Sequence, residues 1–343
     1  MAKTNPGRFF EDYKVGQVIA HAVPRTLSGG ERAAYHALYP ARHALYSSDE
    51  FARASGLSAA PLDDMIAFHT VFGKTVPDVS LNAVANLGYA EGRFLKPVYA
   101  GDTLRSESEV IGVKQNSNGK SGVVYVRTRG LNQRDEVVLE YVRWVMVRKR
   151  DLDAPAPETV IPELAKVVDP ADLAIPEGLD FTNYDFTLSG EPHRWGDYEV
   201  GETIDHVDGV TIEEAEHMLA TRLWQNTAKV HFDATFRPDG QRLIYGGHVI
   251  SMARALSFNG LANAQMIVGL NGGAHANPCF SGDTVKAWSE VLDKAETSAP
   301  GVGAIRLRLV ATKGGEPFAL KGEDGKYRPE VLLDLDYWAL MPV

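Results

Sequence analysis

The sequence predicts an α+β protein built from two tandem copies of one unit, each an antiparallel sheet wrapped around a single central helix. Three recurrences predict the duplication. Asp12-Tyr13-Lys14-Val15-Gly16 returns as Asp197-Tyr198-Glu199-Val200-Gly201, a shift of 197 − 12 = 185. Pro97-Val98-Tyr99-Ala100-Gly101-Asp102-Thr103 returns as Pro278-Cys279-Phe280-Ser281-Gly282-Asp283-Thr284, a shift of 278 − 97 = 181. Glu140-Tyr141-Val142-Arg143-Trp144 resembles Asp334-Leu335-Asp336-Tyr337-Trp338, a shift of 334 − 140 = 194. The order is kept, and the drift between shifts corresponds to loop insertions and deletions. Solenoid repeats have periods of about 20–50 residues, so a repeat this long is a whole domain. Residues 1–150 form one copy, 151–180 a linker and 181–343 the other.

The elements follow in the same order in both copies. Each opens with a strand-like stretch and then a helix, for which Ser28-Gly29-Gly30-Glu31 and Thr211-Ile212-Glu213-Glu214 match the capping-box pattern. In the second copy Ile212, Ala215, Met218, Leu219 and Leu223 keep helical spacing. A further helix begins near Pro61, with Met65, Phe68 and Phe72 on one stripe. Its counterpart begins near Gly247, with Val249, Met252, Ala253 and Leu256. β-rich strands then follow over 103–114, 123–129 and 137–147, and over 284–292, 304–310 and 331–340. The linker carries Pro155, Pro157, Pro162, Pro170 and Pro176, each of which fixes φ and removes a donor. Between Pro162 and Val168 there is room for one short helix.

Composition narrows the functions. A length of 343 residues suits two domains, and 44% hydrophobic with 23% charged residues builds ordinary cores. No apolar run approaches the roughly 18–20 residues that span a bilayer, and residues 1–7 lack the apolar stretch of a signal peptide. A single cysteine, Cys279, fits a reducing cytosol. A cytoplasmic protein without a membrane partner is expected. The net charge of −10 argues against nucleic acid, yet leaves room for a small anionic ligand held by a few Arg and Lys residues. No His-Glu-x-x-His or cysteine cluster points to a metal. Gly269-Leu270-Asn271-Gly272-Gly273 touches a dinucleotide fingerprint, but Pro278 and Gly282-Asp283 after it predict a strand where such a site needs a helix.

The copies differ where chemistry could sit. Carried along unbroken, the shift of 185 puts Tyr46 on His231 and Ala41 on Asn226. A lone histidine is most often a structural hydrogen-bonder, and His69, His217 and His248 are read that way. Asp63-Asp64 is read as a charge complement to a helix N-terminus. What singles out His231 is that only one copy keeps proton-capable side chains there, the mark of one working site and one retired one.

Gln225-Asn226-Thr227-Ala228-Lys229-Val230-His231, Tyr245-Gly246-Gly247-His248-Val249 and Pro278-Cys279-Phe280-Ser281-Gly282-Asp283 together resemble three features of the MaoC-like hydratases and dehydratases of acyl-CoA thioesters. These are a Gly-Asp-x-Asn-Pro-x-His stretch, a glycine-rich start to the central helix and a Pro-x-x-x-Gly-Asp strand entry. The resemblance covers the chain outside the linker and implies a tandem, or double, hot-dog. It also implies a hydro-lyase acting on an enoyl-CoA, with no cofactor beyond the CoA of its substrate, and a homo-oligomer. Residues 41–49, 72–77 and 82–89 are most similar to the branch acting on 2-methylfumaryl-CoA, a branched dicarboxylic thioester.

Hydrating such a thioester requires an enolate-like oxygen to be stabilised, a water held over the β-carbon and a proton delivered to the α-carbon. Bare N–H groups at a glycine-started helix suit the first, which points to Gly246 and Gly247. For the others, His231 has a pKa naturally near operating pH, with Asn226 as its positioning partner. One departure stands out: the family's aspartate position holds Asn226, and in the first copy Ala41. An amide can orient water but cannot take up a proton. Either His231 carries the transfer or another carboxylate does, and Asp233 would share its side if the stretch were extended. CoA binding is expected in the first copy and the groove between copies, with Arg93 and Lys96 as candidates for its phosphates. For the substrate carboxylate Lys229, Arg222 and Arg42 stay open. Two other functions remain: a thioesterase using Asp63 or Asp64, and a non-catalytic acyl-CoA-binding module.

Overall fold

The computed structural model describes residues 3–315 and 317–343. In the first half lie β1 (Val18–Thr26), α1 (Gly29–Leu38), α2 (Ala44–Ser47), α3 (Asp49–Ala54), α4 (Asp64–Thr75), β2 (Ala83–Phe94), β3 (Thr103–Gln115), β4 (Ser121–Leu131) and β5 (Val137–Arg148). After the linker come α5 (Phe186–Ser189), β6 (Thr203–Thr211), α6 (Glu214–Leu223), α7 (Lys229–Phe232), α8 (Gly246–Leu256), α9 (Phe258–Leu261), β7 (Ile267–His275), β8 (Thr284–Glu296), β9 (Val302–Thr312) and β10 (Val331–Pro342). The repeat is exact in its landmarks: α7 starts 229 − 44 = 185 residues after α2, and β8 starts 284 − 103 = 181 after β3.

All ten strands form one antiparallel sheet in the order β1-β3-β4-β5-β2-β7-β10-β9-β8-β6. Each half thus mirrors the other about the β2–β7 seam, where Tyr89 pairs with Gly273, Gly92 with Leu270 and Arg93 with Gly269. The sequence pattern predicts the six strands of the meanders but not β2 and β7. Their glycines weaken strand propensity, yet the seam needs them: a Cβ on Gly92 would stand 2.6 Å from Cβ of Leu270. Two backbones meet there with no room for a side chain between them.

Every residue of α4 is buried, as is all of α8 after its first residue. Helices with no exposed face belong inside a protein, and one continuous core joins both to the sheet. The two helices touch where Nε2 of His69 lies 2.7 Å from Oγ of Ser251.

Two local expectations are corrected. The first capping box forms, with Ser28 N–H donating to Glu31 at 2.7 Å. The second does not: Thr211 ends β6, and its hydroxyl pairs across the strands with Thr284 at 2.8 Å, as Thr26 does with Thr103. Helix α6 therefore starts two residues later, without a side-chain cap. In the linker, Pro162–Val168 is irregular rather than helical, and the only helical turn there is Pro170–Asp172. The linker is nonetheless packed. Val160 bridges to Val113, Val168 N–H donates to Asn271 at 2.8 Å, and Leu173 and Leu179 are buried.

Candidate active site

One cleft of about 270 Å³ opens between the halves. Its second-half wall is Asn226, the α7 turn with His231, residues 243–246 at the start of α8, and His275 through Cys279. Its first-half wall is Phe72 of α4, Ser80, Leu81, residues 83–86, Tyr89 and Arg143. Neither half encloses it alone.

The chain reaches this geometry through a short series of backbone ties. Gln225, at φ 56°, turns the chain out of α6, and Asn226 N–H then donates to Thr221 at 2.9 Å. The Asn226 carboxamide oxygen accepts from Ala228 N–H at 3.3 Å, and its side chain is buried. His231 sits on the single turn of α7, and Leu243 N–H donates to Val230 at 3.0 Å, so residues 243–245 are laid against that turn. Tyr245 N–H donates to Nε2 of His217 at 2.9 Å, which anchors the entry to α8.

His231 Nδ1 donates to the Leu243 carbonyl at 2.7 Å. That bond fixes the tautomer and leaves Nε2 as a free acceptor on the cleft side. Burial holds its pKa below the ordinary 6.5, and the bond to Leu243 only partly offsets this. The ring is therefore neutral at pH 7 and able to take a proton. Opposite stands the N-terminus of α8, which has no side-chain cap. The first N–H groups of a helix have no partner within it, so those of Gly246 and Gly247 are available to a developing oxyanion. Glycine is required at both positions, because a Cβ at Gly246 would enter the His275 ring and one at Gly247 the Tyr245 ring.

The counterpart in the first half is closed. There the α4 start carries Asp63, whose own carboxylate accepts from Met65 N–H at 2.9 Å. By the offset 246 − 64 = 182 between α8 and α4, Met65 is the counterpart of Gly247. The amide left open in one half is thus capped in the other. Tyr46, at the His231 position, is 3% exposed and donates to Asp64, which also accepts from Ile267 N–H at 2.7 Å. The space beside Asp64 is about 10 Å³, barely one water.

Other expected residues fall elsewhere. Arg93 pairs with Glu140 at 3.2 Å and Lys96 with Glu136 at 2.7 Å, and neither lines the cleft. The Lys229–Phe232 segment is a helical turn and not extended, so the expected alignment of Asp233 with His231 fails. Asp233 is exposed and caps the next turn through Thr235 at 2.9 Å. Of the three cations considered for the substrate carboxylate, only Lys229 lines the cleft; Arg42 lies over Phe258.

His275, Tyr89, Asn86 and Arg143, all on the cleft wall, are not singled out by the sequence. His275 Nε2 lies 3.3 Å from the Tyr89 hydroxyl across the seam, and burial together with the nearby His231 pushes its pKa down to about 4. Arg143 carried a readable signal. It is a cation on the inward side of β5, where the repeat has the buried Tyr337.

A family model described as mesaconyl-CoA hydratase matches residues 1–320. The chain belongs to the mesaconyl-CoA hydratase family. It is 80% identical over 341 residues to a mesaconyl-CoA hydratase of Cereibacter sphaeroides, covering 99% of each chain. It is 58% identical over 349 residues to a β-methylmalyl-CoA dehydratase of Chloroflexus aurantiacus, again covering 99% of each. A solved MaoC-domain protein from Chloroflexus aurantiacus superposes with a TM-score of 0.97 at 57% identity, covering 100% of this chain and 99% of that one. A Mycobacterium tuberculosis protein described as a double hot-dog superposes with a TM-score of 0.76 at 24% identity, over 98% of each chain, which supports the fold. The family membership agrees with the double hot-dog expected from the motifs. No helix among the described residues is long and apolar enough to cross a membrane.

Proposed function

We propose that this chain is a hydro-lyase that reversibly adds water to mesaconyl-CoA, forming β-methylmalyl-CoA. In this reading residues 181–343 carry the chemistry, while residues 1–150 keep a retired site and supply the facing wall and part of the CoA groove. The observation that carries it is the lining of one cleft by both His231, whose Nδ1 is taken by the Leu243 carbonyl, and Gly246 at the uncapped start of α8.

The thioester oxygen docks at the α8 N-terminus, where the amides and helix dipole stabilise the charge that develops as the enolate forms. Asn226 holds a water over the β-carbon. His231 Nε2 takes a proton from that water as its oxygen bonds to the β-carbon, and the imidazolium returns a proton to the α-carbon. Atoms and charge balance without any cofactor. The amide of Asn226 orients the water while leaving the proton transfer to the histidine.

A thioesterase reading loses its support, since Asp63 and Asp64 are buried in internal hydrogen bonds away from the cleft. The test follows absorbance of the conjugated enoyl thioester with mesaconyl-CoA and with crotonyl-CoA, with a thiol reagent reporting free CoA. Loss of the enoyl band, faster with mesaconyl-CoA and without CoA release, is expected. CoA release would make the protein a thioesterase, and binding without change in either signal would make it a carrier of acyl-CoA. The reading includes a cytoplasmic location and self-association of the chain, the latter measured by sedimentation.

A further inference from the structure

Arg143 is fully buried on β5, and it lines the cleft. Its guanidinium is held from two sides. Nη2 donates to the Thr75 hydroxyl at 2.7 Å, and the Phe72 ring stacks 4.3 Å from its central carbon. Its other two nitrogens, Nε and Nη1, have no hydrogen-bond partner, and no carboxylate of the described residues pairs with it. A buried cation without a counter-ion is strongly destabilising. Such a charge persists when something else supplies the anion.

A second group is unpartnered at the same place. Asn86, on β2, lines the cleft with both side-chain polar atoms buried and unbonded. The strand register explains the pairing. Tyr89 lies opposite Arg143, and a register shift between Asn86 and Gly88 puts Asn86 opposite Val145. Residues 143 and 145 face one side of β5. The irregularity therefore turns Asn86 and Tyr89 toward the face that Arg143 occupies.

We infer that Arg143 and Asn86 form a receptor for a carboxylate at the far end of the acyl chain, so that the first half selects dicarboxylic over monocarboxylic acyl-CoA. The inference rests on the proposed reaction for its substrate class and adds the residues that read it. In β-methylmalyl-CoA that carboxylate is attached to the carbon that bears the hydroxyl. Anchoring it would fix the β-carbon relative to His231, with the thioester oxygen held at the other end by α8. A planar, always-charged guanidinium with spare donors is the side chain suited to this task. The retired half thus acts as the specificity wall of the working one.

Saturated analogues test the receptor independently of turnover. Methylsuccinyl-CoA and 2-methylbutyryl-CoA differ by a carboxylate in place of a methyl group, and calorimetry gives the dissociation constant of each. Wild-type protein should prefer the dicarboxylic analogue by about 10²-fold or more, the scale of hydrogen bonds to charged groups. In Arg143→Met the ratio should collapse toward one, in Arg143→Lys it should be partly kept, and in Asn86→Ala it should fall about 10-fold. Near-equal binding by the wild type, or an unchanged ratio in folded Arg143→Met, overturns the receptor. Should Arg143→Met not fold, an unchanged ratio in both Arg143→Lys and Asn86→Ala overturns it equally. Failure to hydrate mesaconyl-CoA, with the binding ratio intact, would instead overturn the reaction and leave the receptor standing.

Discussion

His231 Nδ1–H donates to the Leu243 carbonyl at 2.7 Å, and that one bond decides which ring nitrogen is left as an acceptor. Its sense as a base follows from the sign of its shift. Burial lowers the pKa from 6.5, so the neutral form prevails at and above neutral pH. The kcat/KM profile for hydration should be flat from pH 7 to 8 and should fall on the acid side through one ionisation below 6.5. An activity that instead rises as pH drops below 6.5 would mean that the protonated ring is the required form.

Gly247→Ala probes the helix N-terminus. A Cβ there would run into the Tyr245 ring and come within 2.7 Å of His69, so the entry to α8 must shift. Loss of one preorganised donor costs about 10²–10³ in kcat, and a loss on that scale is expected with secondary structure retained by circular dichroism. Full activity in the variant would separate the α8 amides from the chemistry.

Tyr46→Phe probes the first half. The hydroxyl it removes bonds only inside a sealed network with Asp64. Leaving Asp64 with one partner fewer should cost about 1–3 kcal/mol of stability, read from urea unfolding, while kcat stays within a few-fold of wild type.

Buried histidines should make the fold acid-sensitive. Burial lowers His69 and His217 to about 3, and His206 and His275 to about 4. Below 6.5 the unfolded chain binds protons that these native rings refuse, so stability falls as pH drops from 6.5 toward 4. Asp64 works the other way: burial and the charge of Asp63 raise it to about 7, so lowering the pH through 7 relieves the native state. Burial raises Asp63 and Glu191 as well, but it also lowers His21, His36, His43 and His231, so eight rings against three carboxyls leave a net loss, at up to roughly 1.4 kcal/mol per pH unit for each. The urea midpoint at pH 5 should lie well below that at pH 7. Equal midpoints would mean that these rings are not held neutral.

Much of this architecture was legible because the repeat is long and its landmarks are turn residues, which survive where packing residues drift. His231 was legible through its contrast with Tyr46, and Gly246-Gly247 through their place before a helix. The seam was not, because the glycines that let β2 and β7 approach also erase the β-rich pattern by which strands are read. Arg93 and Lys96 misled for a related reason: sequence shows a cation but not its partner, and Glu140 and Glu136 already occupy them. His275 and Tyr89 meet only across the seam, so neither could be placed in the cleft until that pairing was known.

In the proposed reaction a single histidine in the second half carries proton transfer, with Asn226 where the MaoC-like motif has an aspartate. Stopped-flow absorbance of mesaconyl-CoA hydration tests it most directly with His231→Ala, Asn226→Ala and Asp233→Asn beside the wild type. General acid–base catalysis contributes about 10²–10⁴, so His231→Ala should lower kcat by 10² or more, with KM little changed, as expected for an interaction made only in the transition state. Asn226→Ala should cost less, and Asp233→Asn should be close to wild type because that carboxylate is exposed and turned to Thr235. Turnover abolished in Asp233→Asn but only mildly reduced in His231→Ala would contradict the claim and move the base to the carboxylate.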